Sequence, residues 1–165
     1  MARLEFKGET ITEAAVIRST LAKYGIPYEQ WGLRDGAAGG PDELVLANYD
    51  PEVAKLKQTR GYQTADLIAL KPTTPNLDTI CAKFDKEHHH VDDEVRFTVE
   101  GEGVFEIQAS PSADFVKFTA EPGDLIIIPA NRRHLFYLTP KRTIRCIRLF
   151  KNQEGWEAIY PKVAP

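Results

Sequence analysis

Three of the four histidines in this chain are consecutive, in the run "EHHHVDDEVRF", and the fourth, His134, follows in "PANRRHLF". Imidazole nitrogen and carboxylate oxygen are the ligand types of first-row metals such as iron, nickel, manganese, cobalt and zinc. In an extended chain His88, His90, Glu94 and Arg96 have one parity, so they point to one face while Val95, Phe97 and Val99 point to the other. The two imidazoles of a His-x-His pair then start roughly 6.5–7 Å apart at Cα, close enough to converge on one ion. His89 faces the opposite way. The mid-chain position excludes a purification-tag remnant. A solvated polar loop would explain a lone histidine, but a strand that is apolar on one side and carries imidazoles, a carboxylate and a guanidinium on the other needs a use for its polar face. His134 comes after an apolar run, with Pro129 and Asn131 forming a corner where asparagine tolerates positive φ. By itself it reads as a packed core residue. Beside His88, His90 and Glu94 it completes a set of three imidazoles and one carboxylate, a candidate metal centre.

The neighbours of this set have two readings each. Arg96 suits a hydrogen bond to an anionic substrate, and equally an ion pair with a nearby carboxylate. Arg148, in "TIRCIRLF", alternates in phase with Ile144, Cys146 and Phe150, so it is either a cation at the site or part of a surface strand. Phe136 shares the parity of His134 and projects to the same side. Asp93, like Glu87, is a candidate for orienting the imidazoles or for a solvated turn.

These residues need a rigid frame, and from residue 88 the hydrophobic period is two. "VEGEGVFEI" carries a turn at Gly101-Glu102-Gly103, and "FVKFTA", "LIIIP", "HLFYL" and "TIRCIRLF" continue as short strands at regular spacing. Such a series implies a sandwich or small barrel. The first half is mixed. A helix is predicted over 10–25, with Thr10 and Glu13 as a capping box, Ala14, Ile17 and Leu21 on one face, and Gly25 at its end. The segment 34–40, "RDGAAGG", reads as a flexible turn. A second helix starts at Asp50-Pro51-Glu52 and stops before Gly61. "ADLIALKP" is a strand, and Leu77, Ile80, Cys81 and Phe84 mark a short helix running up to the histidines. The expected architecture is an all-β core with N-terminal helices packed outside.

The chain has 165 residues, of which 42% are hydrophobic and 27% charged, enough for one domain with a real core. We read 1–165 as a single domain with its barrel core at about 65–155. The net charge of −3 with scattered Lys and Arg gives no footprint for nucleic acid or an anionic membrane. No apolar run approaches the ~18 residues of a membrane span, and "MARLEFKGET" lacks the apolar stretch of a signal peptide. Cys81 and Cys146, in stretches patterned for burial, suit a reducing compartment. The expectation is a cytoplasmic monomer acting on a small molecule.

At the metal-ligand positions the chain resembles a cupin, the double-stranded β-helix or jelly-roll barrel. His88, His90, Glu94 and Gly101 match the first cupin motif, with Ala82 in place of its first glycine. Gly123, Pro129 and His134 match the second, with Asn131 for its inner glycine and Leu138 for its final asparagine. The resemblance narrows to the acireductone dioxygenase family through "EHHHVDDEVRFTVEGEGVFEI", "DLIIIPANRRHLF" and "IRLFKNQEGWEA", and "GIPYEQW" and "RGYQTADLIAL" resemble its bacterial branch.

That resemblance implies one Fe(II) or Ni(II) per chain on His88, His90, Glu94 and His134. It implies cleavage of 1,2-dihydroxy-3-keto-5-methylthiopentene by dioxygen in methionine salvage. The iron enzymes of the family give 2-keto-4-methylthiobutyrate and formate; with nickel the products are methylthiopropionate, formate and carbon monoxide. It tips Arg96 towards catalysis and places Phe84, Phe136 and Trp156 around the substrate, with Arg148 a candidate beside them from its strand phase alone. Four protein ligands leave two positions on an octahedral ion, which suits the adjacent oxygens of an enediolate. Two alternatives keep the ligand set: a cupin dioxygenase acting on another enediol or a thiol, and a binding cupin whose metal is structural.

Overall fold

The computed structural model describes residues 2–152 and 156–161. The two-residue period of the second half becomes six strands: β5 (Glu94–Gly101), β6 (Gly103–Gln108), β7 (Phe115–Ala120), β8 (Asp124–Ile128), β9 (His134–Leu138) and β10 (Ile144–Phe150). They divide between two antiparallel sheets that also draw on the first half. There the chain runs β1 (Arg3–Phe6), β2 (Glu9–Ile11), α1 (Ala14–Ala22), β3 (Tyr28–Gln30), α2 (Asp42–Asn48), α3 (Asp50–Arg60), β4 (Thr64–Leu70) and α4 (Leu77–Ala82). One sheet has the order β2-β1-β7-β6-β9 and the other β3-β8-β5-β10-β4. This is the all-β core expected of a cupin.

The sheets are wider than the segment 65–155. Strands β1 and β2 extend one edge of the first sheet, and β3 caps an edge of the second. Each has three or four residues, too few for an alternating pattern to stand out from the sequence. The Gly101-Glu102-Gly103 turn does not join paired strands: β5 and β6 belong to different sheets, so it is a crossover between layers. Gly101 holds φ 71° there, and a Cβ would lie 2.0 Å from the Thr143 carbonyl oxygen, so glycine is required by space as well as by conformation.

Two apolar clusters fix the faces. Leu4, Phe105, Ile107, Phe118, Ile126, Ile128, Phe136 and Ile144 form one with Ile17 and Leu21 of α1. Val95, Phe97, Val99, Leu125 and Ile127 form the other with Tyr49, Val53 and Leu56 from the α2–α3 segment. The apolar face of β5 therefore packs outward against helices, and its polar face, with Glu94, Arg96 and Thr98, is buried on the other side.

The helices follow their local signals with one correction. α3 has proline in its first turn and ends on Gly61 at φ 79°. α1 begins at Ala14, with Glu13 at the cap position and no side-chain capping bond. Thr10 belongs to β2, where it pairs with Glu5, so the predicted capping box does not form: strand pairing takes the backbone that a longer helix would have used. The 34–40 segment, read as a flexible turn, is tied down by Arg34, which bonds Glu52 and the Asn48 carbonyl, and by Ala37, which is fully buried.

Candidate metal centre

Backbone pairing brings the histidines together. His88 and His134 form an antiparallel bridge, and the Asn131 amide donates to the His90 carbonyl at 2.7 Å. Asn131 takes φ 63°, the left-handed corner that its side chain tolerates in place of glycine. Residues 91–93 bend, so His90 and Glu94 do not lie on one continuous strand. The parity argument reached the right face although the chain between them is not extended.

His88, His90, Glu94 and His134 are each at most 3% exposed. The ligand nitrogens of the three histidines lie within 4.8 Å of one another. Glu94 Oε2 is 2.7 Å from His134 Nε2 and 3.4 Å from His90 Nε2. Each Nδ1 faces a backbone carbonyl: His88 that of Lys86 at 2.6 Å, His134 that of Arg132 at 2.9 Å, and His90 that of Glu157 at 3.0 Å. A carbonyl only accepts, so each Nδ1 carries its proton and each ring turns its Nε2 inward. Among the described residues, Nε2 of His88 and of His90 is buried with no hydrogen-bond partner. Buried lone pairs converging beside a carboxylate are an unfavourable arrangement unless a cation or proton sits among them. The donor set, three nitrogens and one oxygen, fits iron or nickel.

Charges around the site keep it in its ligating form. Burial pushes the His88 imidazolium pKa down to about 4. Burial works to raise Glu94, but the Arg96 guanidinium and the close approach of His134 and His90 hold its carboxyl well below the ordinary range. The acid is ionised and His88 neutral at physiological pH.

Arg96 makes the ion pair with a neighbouring carboxylate that was one of its two readings. It is 5% exposed, and its Nε donates to Glu94 Oε1 at 2.7 Å. Its Nη1 donates to Cys146 Sγ at 3.4 Å, and its guanidinium lies 5.1 Å from the Phe136 ring centre and 5.4 Å from that of Trp156. Trp156 also stacks along the His90 ring, centroids 6.1 Å apart, and touches Phe150 at 4.5 Å. Phe84, at the end of α4, lies 5.8 Å from the His88 ring. Arg148 sits directly across from Arg96 on the neighbouring strand. Its guanidinium is held by Asp66 through two bonds of 2.9 and 2.7 Å and lies 5.4 Å from the Trp156 ring.

Asp93 does not orient an imidazole. Its carboxylate accepts from the Tyr62 hydroxyl at 2.8 Å and the Ala130 amide at 2.9 Å, stapling the bend before Glu94 to the corner before His134. Glu87 pairs with Arg133 at 2.5 Å. The rings are oriented by main-chain carbonyls, which no side-chain pattern advertises. Sequence reasoning reached Trp156 but passed over residues 157–160 as site structure: His89 and Ile159 exchange backbone bonds at 2.9 Å, and the Tyr160 ring lies 6.1 Å from His88. Cys146 carried a usable signal, since it has the parity of Arg148.

Comparison with known proteins agrees with this geometry. The model of the ARD/ARD′ family matches residues 43–158. An acireductone dioxygenase of Sulfurihydrogenibium sp. is 43% identical, over 97% of this chain and 94% of its own. One of Exiguobacterium sibiricum is 40% identical, over 93% and 90%. Among solved structures, acireductone dioxygenase from Bacillus anthracis, with a cadmium ion in its active centre, superposes with a TM-score of 0.88 at 37% identity, covering 96% of each chain.

Proposed function

The chain belongs to the ARD/ARD′ family, and we propose that His88, His90, Glu94 and His134 hold the metal with which it cleaves acireductone. It is a metal-dependent dioxygenase, acting on a small-molecule substrate together with O2. The observation that carries the assignment of these four residues is the pair of buried, unpartnered Nε2 atoms on His88 and His90, the latter 3.4 Å from the Glu94 carboxylate. The substrate is 1,2-dihydroxy-3-keto-5-methylthiopentene, bound as its enediolate. When bound, Fe(II) or Ni(II) supplies Lewis acidity and a template on which substrate and dioxygen meet.

The protein's own residues bind and orient. Arg96 is fixed from three sides, so it presents its positive charge to the anionic oxygens of the substrate without reorganising. Phe84, Phe136 and Trp156 wall the pocket with aromatic surface, which suits a methylthio tail because sulfur packs well against ring edges. Trp156 lies against both Arg96 and Arg148, and the burial of Arg96 strengthens its charge. Arg148, neutralised by Asp66, borders the pocket as a polar wall. The iron form gives 2-keto-4-methylthiobutyrate and formate, and the nickel form methylthiopropionate, formate and carbon monoxide, within methionine salvage.

In this reading residues 1–165 work as one unit, a monomer with one metal. No helix among the described residues is long and apolar enough to cross a membrane, and the free thiols of Cys81 and Cys146 support a cytoplasmic setting. The test is elemental analysis, then product analysis on acireductone under oxygen after reconstitution with Fe(II) and, separately, Ni(II). About one metal per chain with metal-specific products is the expected result. Bound metal without turnover of acireductone would overturn the substrate assignment.

A further inference from the structure

The two oxygens of Glu94 face different partners. Oε2 points among the histidines, 2.7 Å from His134 Nε2 and 3.4 Å from His90 Nε2. Oε1 is taken by Arg96 Nε at 2.7 Å. A carboxylate turns readily about its last torsion, and one beside a cation can bind through one oxygen or both. Here rotation would break a buried, charge-assisted bond. Arg96 cannot follow the carboxylate inward, because Cys146 Sγ holds Nη1 and the rings of Phe136 and Trp156 flank the guanidinium. Cys146 is itself fully buried on β10, a central strand of its sheet.

We propose that Arg96 is a positioning residue that makes Glu94 a one-oxygen ligand. The inference rests on the metal-centre reading above and deepens it. Three nitrogens and one oxygen leave two places on a six-coordinate ion, whereas both oxygens of Glu94 would leave one. Withholding Oε1 therefore keeps room for both oxygens of an enediolate. The role is distinct from contact with substrate: it operates before substrate arrives, through the geometry of a neighbouring carboxylate.

Two substitutions separate the hydrogen bond from the charge. In Arg96→Gln the amide nitrogen occupies the chain position of Nε, so a donor to Oε1 remains while the charge and the bond to Cys146 go. In Arg96→Met a methyl group takes that place and no donor remains. The full-length chain, stripped of metal, is loaded with Mn(II), its metal content is measured, and exchangeable waters on the ion are counted by water-proton relaxation. Wild type and Arg96→Gln are expected to hold about two waters each, and Arg96→Met about one, at equal manganese content. Arg96→Met matching wild type would overturn the proposal, as would Arg96→Gln losing a water along with it. Should Arg96→Met fail to fold or to take up Mn(II), infrared difference spectra of wild type and Arg96→Gln on loading decide. A wide separation of the carboxylate stretches, the signature of one-oxygen binding, upholds the proposal, and a narrow one in wild type removes it. A wild-type protein that takes up no Mn(II) would show that the metal-centre reading itself fails.

Discussion

His88 and His134 face each other across an antiparallel backbone bridge, each amide donating to the other's carbonyl at 2.9 Å. Their imidazole centroids are 4.5 Å apart. Both rings are oriented by the carbonyl two residues earlier in the chain, Lys86 and Arg132. Two candidate ligands from distant parts of the sequence are thus held by main-chain bonds that substitution by any residue other than proline leaves in place.

His134→Ala should accordingly fold and lose its metal. Metal content is expected to fall from about one per chain to near zero, and activity with it. A ligand at about a hundred times its dissociation constant adds about 2.7 kcal/mol of stability. Added Ni(II) should raise the melting temperature of wild type and leave that of the variant unchanged. Elemental analysis and paired melts check this; full activity in the metal-free variant would sink the assignment.

Gly103 tests the support beneath Arg96. A Cβ there would lie 2.5 Å from Phe136 Cε2 and 3.0 Å from Ile144 Cδ1, pushing the ring on which the guanidinium rests. Gly103→Ala should cost about 1–3 kcal/mol, the usual range for overpacking a core. It should lower turnover while metal content stays at the wild-type level. Urea unfolding beside steady-state kinetics reads both effects, and unchanged turnover would mean that Arg96 tolerates a shift of its platform.

Ile159→Pro removes the amide that donates to the His89 carbonyl at 2.9 Å. That bond docks the segment whose Glu157 carbonyl orients His90. Loss of a partner that orients a metal ligand typically weakens metal affinity roughly 10–100-fold. Faster release of metal to a chelator is the expected outcome, with the melting temperature of the metal-free protein little changed.

In the metal-free protein, acid should act through His88. Its folded pKa is about 4 against an ordinary 6.5, so between those values the unfolded chain binds a proton that the folded chain refuses. Stability then falls as pH drops from 6.5 towards 4. Glu94, held below its ordinary 4.5, adds stability that is lost only at lower pH. His88→Gln should flatten the upper part of this limb, read as urea midpoints at about pH 7 and about pH 5.

The convergence of the candidate ligands was legible because its information is local. His88 and His90 have the parity of Glu94, which opens the alternating strand β5, and His134 begins the strand after a turn. The paired strands β5 to β10 were legible for the same reason: an alternating pattern declares a half-buried strand wherever it is long enough. β1, β2 and β3 are too short to declare themselves, and a plausible capping box at Thr10 and Glu13 competed with β2.

What the sequence determined by itself was the chemistry: three imidazoles, a carboxylate and a guanidinium with matching parity, in a β-rich chain. What only the tertiary structure decided was the set of partners. The Glu157 carbonyl behind His90, the Cys146 thiol behind Arg96, Asp66 behind Arg148, and the staple from Asp93 to Tyr62 and Ala130 all depend on which distant segments meet. Parity fixes the side of a strand on which a residue stands. It says nothing of what lies opposite, because that is set by sheet order and by main-chain groups that every residue shares.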